Sequence, residues 1–261
     1  MFLAIDVGNT QGTLGLYDET GAMRHGWRMA TTSSDTADTL RSRLGGYLHM
    51  DGFDYPDVTE AGLACVVPVL SRAWRRCLTE VLGRPPLVVS PGMDCGMEIR
   101  MPEPRSVGAD RIANAVAARA DYGAPVIVVD FGTATNIDVV DATGAYRGGT
   151  ISPGLIISAS ALFERAAKLS SVPIEAPASV LGDTTETAVQ SGLVIGAAAQ
   201  AEGLVARIKA ELDIESAPVV GTGGLARTVS QATDVFDSID PDLTLRGIRD
   251  IWLHVNGRTR G

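Results

Sequence analysis

The chain has 261 residues, 45% of them apolar, and a formal net charge of −9, which is long enough for one large buried core or two small ones. That charge leaves no basic stripe to match a phosphate backbone, so nucleic acid is excluded as an expected partner and a small anion would need a local positive site. No apolar stretch reaches membrane-spanning length, and Asp6 interrupts the first one before it could act as a secretory leader, so a cytoplasmic location without a membrane partner is expected.

In chain order, the first predicted strand is LAIDVGNT at residues 3–10, an apolar run that ends in Asp6, one bulky residue and a glycine turn. TLGLYD, the turn ETGA and the run through WRMAT follow as strand, turn and strand. Apolar spacing at i, i+3 and i+4 then predicts helices over DTADTLRSRLGGYL, VLSRAWRRCLTEVL and GADRIANAVAARA, with the short buried strands GLACVV and PLVVS between them. From Ile127 the opening order recurs as IVVDFGTA, TNIDVVD, the turn ATGA and YRGGTIS. Asp130 aligns with Asp6 at an offset of 124 and Asp141 with Asp18 at 123, so a one-residue gap relates the two copies. A helical run over residues 184–212 and a third glycine-rich turn, VVGTGGLA at 219–226, come next. Small residues such as Gly196–Ala199 suit that run to close helix packing, inside one lobe or between two copies of the chain. The fold class is α/β: two duplicated lobes, each a mixed sheet that opens with an antiparallel meander and is flanked by helices. The boundary falls near residues 115–122, drawn as domains 1–117 and 118–261. Cys65, Cys77 and Cys95 are odd in number and widely spaced, with no CxxC pair, which predicts neither structural zinc nor a disulfide framework.

The repeated device has a chemical meaning. A carboxylate at a strand end beside a tight glycine turn sits where backbone N–H groups can cradle phosphate while the carboxylate holds a cation or its water shell. Two such turns can enclose a nucleotide's phosphates from both sides. Aspartate and glycine are also common in ordinary turns, but here the pattern occurs twice in register. The glycines of GTGGLA would let a flat base approach the backbone.

The combination of DVGNT, VGADRIANAVAA, VVDFGTATNIDVV, GGTISPGL, ALFERAAKL, LGDTTETAVQSGL, GTGGLA and LTLRGI resembles the bacterial type III pantothenate kinases, a branch of the actin-like ATPase and sugar kinase superfamily. The resemblance runs through nearly the whole chain in the family's order, and GADR is its most specific part. It implies ribonuclease H-like (actin-like ATPase) lobes and ATP-dependent phosphorylation of pantothenate to 4'-phosphopantothenate, the first step towards coenzyme A. It implies that Asp6, Val7, Gly8, Asn9, Thr10, Gln11, Gly12 and Thr13 form the first ATP phosphate loop, with Asp6 near magnesium. Gly132 and Thr133 match the second phosphate contact, Asp130 the ligand of a required monovalent cation (potassium or ammonium), and Gly223 and Gly224 the adenosine motif. Gly108, Ala109, Asp110 and Arg111 match the pantothenate site, with Asp110 as general base, and Met101 and Thr185 match further substrate contacts. A homodimer is implied, with the pantothenate site at or near the subunit boundary.

Elementary chemistry agrees with Asp110 in that role. Phosphoryl transfer asks for positioned reactants, neutralised charge and a carboxylate to accept the alcohol proton. In the first turn of a helix starting near Gly108, Asp110 would be kept ionised by the helix dipole, and Arg111 could hold a carboxylate or phosphate bidentately. The same Asp-Arg pair also reads as a cap and a surface charge. Three positions depart from the family pattern: Met101 stands where a tyrosine is common, Asn136 where a second threonine is usual, and Ser170-Ser171 where leucine-proline follows AAKL. Two other functions stay open: kinase of another small alcohol, and an idle nucleotide-binding homologue with a regulatory role.

Overall fold

The computed structural model describes residues 1–165 and 171–260. It divides into two compact units, one made of Met1–Met97, Pro102–Ala117 and Leu243–Gly261, the other of Glu98–Met101 and Ala118–Asp242.

The first unit opens with Phe2–Val7 (β1), Gln11–Tyr17 (β2) and Met23–Ala30 (β3), an antiparallel meander. Ala37–Met50 (α1) then leads to Glu60–Cys65 (β4), and Pro68–Leu82 (α2) leads to Leu87–Val88 (β5), giving a sheet in the order β3-β2-β1-β4-β5. β1 is the central strand, antiparallel to β2 and parallel to β4, and its residues are buried apart from Asp6. Such a strand needs apolar side chains on both faces, which FLAIDV supplies. α1 starts where the Thr36 hydroxyl accepts the Thr39 amide, and it buries Leu40, Leu44 and Leu48 at the spacing of one helix face. α2 starts with Pro68, whose missing N–H costs nothing in the first turn. It buries Leu70, Trp74, Cys77 and Leu78 in the same core and stops at Gly83, which is left-handed at φ 69°. Burying each such leucine stabilises the unit by roughly 1.5–3 kcal/mol.

Ala109–Tyr122 (α3) begins in this unit, and the last helix, Leu243–Val255 (α8), returns to it. α8 packs on β1 and β4, with the rings of Trp252 and Phe2 centred 4.8 Å apart. α3 passes from one unit to the other at 117/118, and residues 243–261 belong to the first unit. The reason is an apolar face on α8, including Leu245, Ile248, Ile251 and Trp252, that covers the open side of the β1–β4 pair.

The second unit repeats the plan. Val126–Phe131 (β6), Ala134–Val140 (β7) and Tyr146–Pro153 (β8) form the meander, followed by Leu155–Arg165 (α4), Thr185–Gln190 (α5), Gly196–Leu212 (α6), Val219–Thr222 (β9), Ala226–Val229 (α7) and Ser238–Ile239 (β10). Its sheet order, β10-β9-β6-β7-β8, is that of the first sheet. The long helix expected over 184–212 is a single helical path with a π-helical turn at Ser191–Ile195 between α5 and α6. The offset between the copies is 124 for β1 and β6 and 123 for β2 and β7, so the one-residue gap lies in the turn itself: residues 8–10 in the first copy, 132–133 in the second. Ser170 falls outside the described residues, and Ser171 is exposed. Cys65 is half-buried and Cys77 and Cys95 are buried, all as free thiols. Burial pushes the Cys77 thiol up to about 12. No helix among the described residues is long and apolar enough to cross a membrane.

The DETGA and DATGA turns are built alike. Asp18 Oδ1 accepts from the Thr20 amide (2.9 Å), the Thr20 hydroxyl (2.6 Å) and the Ala22 amide (3.1 Å). Asp141 Oδ1 accepts from the Thr143 amide (2.9 Å), the Thr143 hydroxyl (2.6 Å) and the Ala145 amide (3.2 Å). Gly21 and Gly144 close the two turns at φ 85° and 83°. Asp141 is buried and also receives Arg147 (3.2 Å) and Arg100 (3.4 Å). Burial raises its pKa, but the Thr143 hydroxyl, the Ala145 and Thr143 amides and Arg147 outweigh that and bring it down to about 2. A depressed carboxylate contributes stability above its unfolded pKa and loses it as pH falls towards its folded one. The protein should therefore be more stable than its Asp141→Asn variant near neutral pH, and the difference in urea midpoint should shrink between about pH 4 and pH 2. A midpoint difference that stays constant through that window would refute the assignment.

Candidate active site

In the first unit, Asp6 is the half-buried penultimate residue of β1, paired with Thr13 on β2 and Ala64 on β4. Val7 is buried and pairs with Gly12, while Asn9, Thr10 and Gln11 are exposed around the turn. The turn is tied by the Gly8 amide to the Gln11 carbonyl at 3.1 Å. Thr31, just past β3, clamps it from behind: its amide donates to the Thr10 carbonyl (3.0 Å) and its hydroxyl to the Gly8 carbonyl (2.8 Å). Thr31 was not singled out from the sequence; its position one residue beyond the strand that pairs with β2 was the available clue. Cys65, the pairing partner of Val7 on β4, has its thiol pushed up by burial and, more weakly, by the Asp6 charge, so it stands neutral beside the turn.

The same unit holds the start of α3. Gly108 precedes the helix and its carbonyl accepts the Ile112 amide at 3.1 Å. Asp110 is half-buried in the first turn, and its Oδ1 accepts the Arg111 amide at 2.8 Å while lying against the Cα of Gly108. Ala109 is buried beneath it and Arg111 is half-buried beside it. One carboxylate oxygen is thus engaged with the helix start.

In the second unit, Asp130 is the matching half-buried penultimate residue of β6, paired with Thr222 on β9 and Asn136 on β7. Asn136 corresponds to Thr13 of the first copy, so the departure from the family pattern places an amide on the same face as Asp130, at cross-strand distance. The Gly132 amide donates to the Ala134 carbonyl at 3.0 Å and closes the turn at Thr133. Two other glycines pack onto this turn. Gly154, at the start of α4, donates its amide to the Thr133 carbonyl at 3.1 Å, and a Cβ there would collide with the Gly132 and Thr133 carbonyls. Gly223 holds φ 90°, and a Cβ there would collide with Asp130 Oδ1 and the Phe131 backbone. Asp130, Gly132, Thr133 and Gly223 are therefore one cluster, with Gly154 and the N-terminus of α4 as an addition that the GGTISPGL motif contained without declaring its role. Gly224 is exposed with open space around it.

Met101 and Thr185 also belong to the second unit. Residues 98–101 are tied to β8 by the Arg100 amide on the Tyr146 carbonyl (2.8 Å) and the Tyr146 amide on the Glu98 carbonyl (2.9 Å). Arg100 also pairs with Glu98 at 2.6 Å. Met101 then lies over Gly148, its sulfur 3.5 Å from where a Cβ would stand. Thr185 is exposed in the first turn of α5, after a capping box made by Thr184 and Thr187. Among the described residues there is no group of three or more His, Cys, Asp or Glu suited to a metal. Single carboxylates at Asp6 and Asp130 suit a hard cation that takes most of its oxygens from phosphate and water.

A family model described as type III pantothenate kinase matches residues 2–207. A type III pantothenate kinase of Shouchella clausii is 42% identical over 252 residues, 97% of this chain and 98% of the relative. One from Moorella thermoacetica is 43% identical over 252 residues, with the same coverage of each. Among solved structures, the activator of 2-hydroxyisocaproyl-CoA dehydratase from Clostridium difficile, with bound ADPNP, superposes with a TM-score of 0.57 at 12% identity over 99% of this chain and 98% of that one. The ROK hexokinase of Thermus thermophilus gives 0.50 at 15% identity over 98% and 99%. These distant likenesses concern the two-lobed α/β fold.

Proposed function

The chain belongs to the type III pantothenate kinase family, and from that premise we propose how its residues divide the phosphorylation of pantothenate by ATP, the first step of coenzyme A biosynthesis. The observation that carries the reading is the repeated turn after Asp6 and Asp130, each clamped by its own unit so that backbone groups are fixed before any phosphate arrives. Preorganised donors of this kind stabilise developing charge without reorganising during the reaction.

The backbone of residues 8–13 and of Gly132 and Thr133 holds phosphate oxygens, and Gly223 and Gly224 leave room for the adenosine. Magnesium, when bound with ATP through Asp6, neutralises phosphate charge. Gly108, Ala109 and Arg111, with Met101 and Thr185, hold pantothenate, whose carboxylate is a fit partner for a guanidinium. Asp110 accepts the proton of the primary hydroxyl as that oxygen attacks the γ-phosphorus and the bond to the leaving β-phosphate oxygen breaks. The setting is the cytoplasm, in keeping with an enzyme of cofactor synthesis.

Asp110→Asn keeps shape and most hydrogen bonding while removing the base. General base catalysis contributes on the order of a hundredfold to ten-thousandfold, and a loose transition state puts the loss towards the lower end. We expect kcat to fall about a hundredfold or more with little change in ATP affinity. A cap alone would cost about 1 kcal/mol of stability and spare kcat, so near-normal turnover in a less stable protein would remove Asp110 from the mechanism.

The chain has two lysines, Lys168 and Lys209, and neither lies in a phosphate turn. A monovalent cation at Asp130, potassium or ammonium, is the proposed source of the missing positive charge. Either ion should activate the enzyme, and Asp130→Ala should abolish that response. Full activity of the parent enzyme in cation-depleted or sodium-only buffer would count against it.

The functional unit is proposed as a homodimer. α6 turns Ala198, Ala201 and Val205 into its own core, while Gly192, Gly196 and Gly203 lie exposed with open space beside their Cα atoms. Exposed Ile151, Ile156 and Ile157 on β8 and α4 add apolar surface in the same unit. Light scattering should give twice the chain mass of 27.3 kDa, and a monomer that stays fully active at high dilution would overturn the dimer.

A further inference from the structure

Besides covering β1 and β4, the LTLRGI segment at the start of α8 lies against the helix that carries Asp110. α3 presents Ala113, Ala115 and Ala117 with no exposed surface at all, and among them Asn114 is equally buried. On α8, Gly247 approaches so closely that a Cβ there would collide with the Ala113 carbonyl. Three residues earlier on α8, the Thr244 hydroxyl donates to Asn114 Oδ1 at 2.7 Å. The approach of Gly247 to Ala113 is backbone on backbone and has no side-chain direction of its own. A directional hydrogen bond from half-buried Thr244 to buried Asn114 supplies what such a contact lacks, as a single buried asparagine does when it fixes the register of a coiled coil.

Asp110 and Asn114 are four residues apart and therefore share one side of α3. We propose that the Thr244–Asn114 hydrogen bond sets the axial and rotational position of α3, and through it the position of the Asp110 carboxylate, so that Thr244 is a positioning residue for phosphoryl transfer. This rests on the reading of Asp110 as the base. A displacement of about 1 Å at a reacting group costs about a hundredfold in rate, whereas a satisfied buried polar pair adds little net stability over an apolar pair of the same shape. The bond therefore weighs more on geometry than on folding.

The test compares Thr244→Val, which keeps the shape and loses the hydroxyl, with Thr244→Ser, which keeps the hydroxyl, and with Asp110→Asn. Thr244→Val should lower kcat by about ten- to a hundredfold with KM for ATP within about twofold, and Thr244→Ser should restore most of kcat. Thr244→Ala, assayed below its melting temperature, should behave as the valine variant does. A valine variant with lowered Tm and unchanged kcat would show a packing role only and overturn the proposal. Loss of the fold in both the valine and alanine variants would also overturn it, because the bond would then hold the unit together and not aim a carboxylate. If Asp110→Asn itself keeps normal turnover, the reading of Asp110 fails; if it is impaired while Thr244→Val is not, only the positioning role fails.

Discussion

A strand that ends in a carboxylate and turns at once on glycine leaves backbone groups that no neighbouring strand can receive, and such a turn must be held by something other than the sheet. Each unit meets that constraint differently. The first uses a side chain, Thr31, whose hydroxyl and amide grip the carbonyls of Gly8 and Thr10. The second uses the absence of side chains: Gly154 and Gly223 bring backbone so near to the turn that a single methyl would not fit. Either device ties the turn down from behind, which is the condition that the proposed phosphate site requires. The central position of β1 and β6 follows, since only a strand paired on both sides can hold such a turn still.

Much of this was legible in the chain. The aligned aspartates, the matching turns and the one-residue gap announced a duplication, and the structure locates the gap between Val7 and Gln11 in one copy and between Phe131 and Ala134 in the other. The gap falls in the one place where adding a residue leaves both strand registers intact; inside a strand it would have turned every following side chain to the opposite face. Helix spacing located α1, α2 and α3 because each carries a narrow apolar stripe. The destination of α8 was not legible: an amphipathic helix states that it must cover a sheet, and nothing in its own pattern states which of two similar sheets. The Thr244–Asn114 contact was hidden for a related reason, since its partners are 130 residues apart and a buried asparagine in an alanine-rich helix has no periodicity to betray its partner.

The duplicated aspartate turns show how one local design acquires two uses. Local hydrogen bonds make the same loop twice, because an aspartate, a threonine two residues on and a glycine after that satisfy one another without outside help. What differs is the surroundings. Asp18 faces Arg24 at 3.5 Å on an accessible edge, whereas Asp141 is buried and gathers Arg100 and Arg147, which ties residues 98–101 to β8 and settles where Met101 lies. The electrostatics of a turn that began as simple chain reversal thus reach a proposed substrate contact.

The return of α8 to the first unit bears on how the protein is made. During synthesis β1 through β5 leave the ribosome before the second unit, yet the helix that covers β1 and β4 emerges only after it. In the interval most of the second unit, from residue 118 to 242, is already free to fold as a contiguous piece. Until α8 arrives, the Phe2 ring lacks its Trp252 partner and the Ala113 carbonyl lacks the Gly247 contact. The nascent first unit therefore waits with an apolar sheet face uncovered, and the helix bearing Asp110 meets its α8 neighbour only after the whole stretch from 118 to 242 has been made.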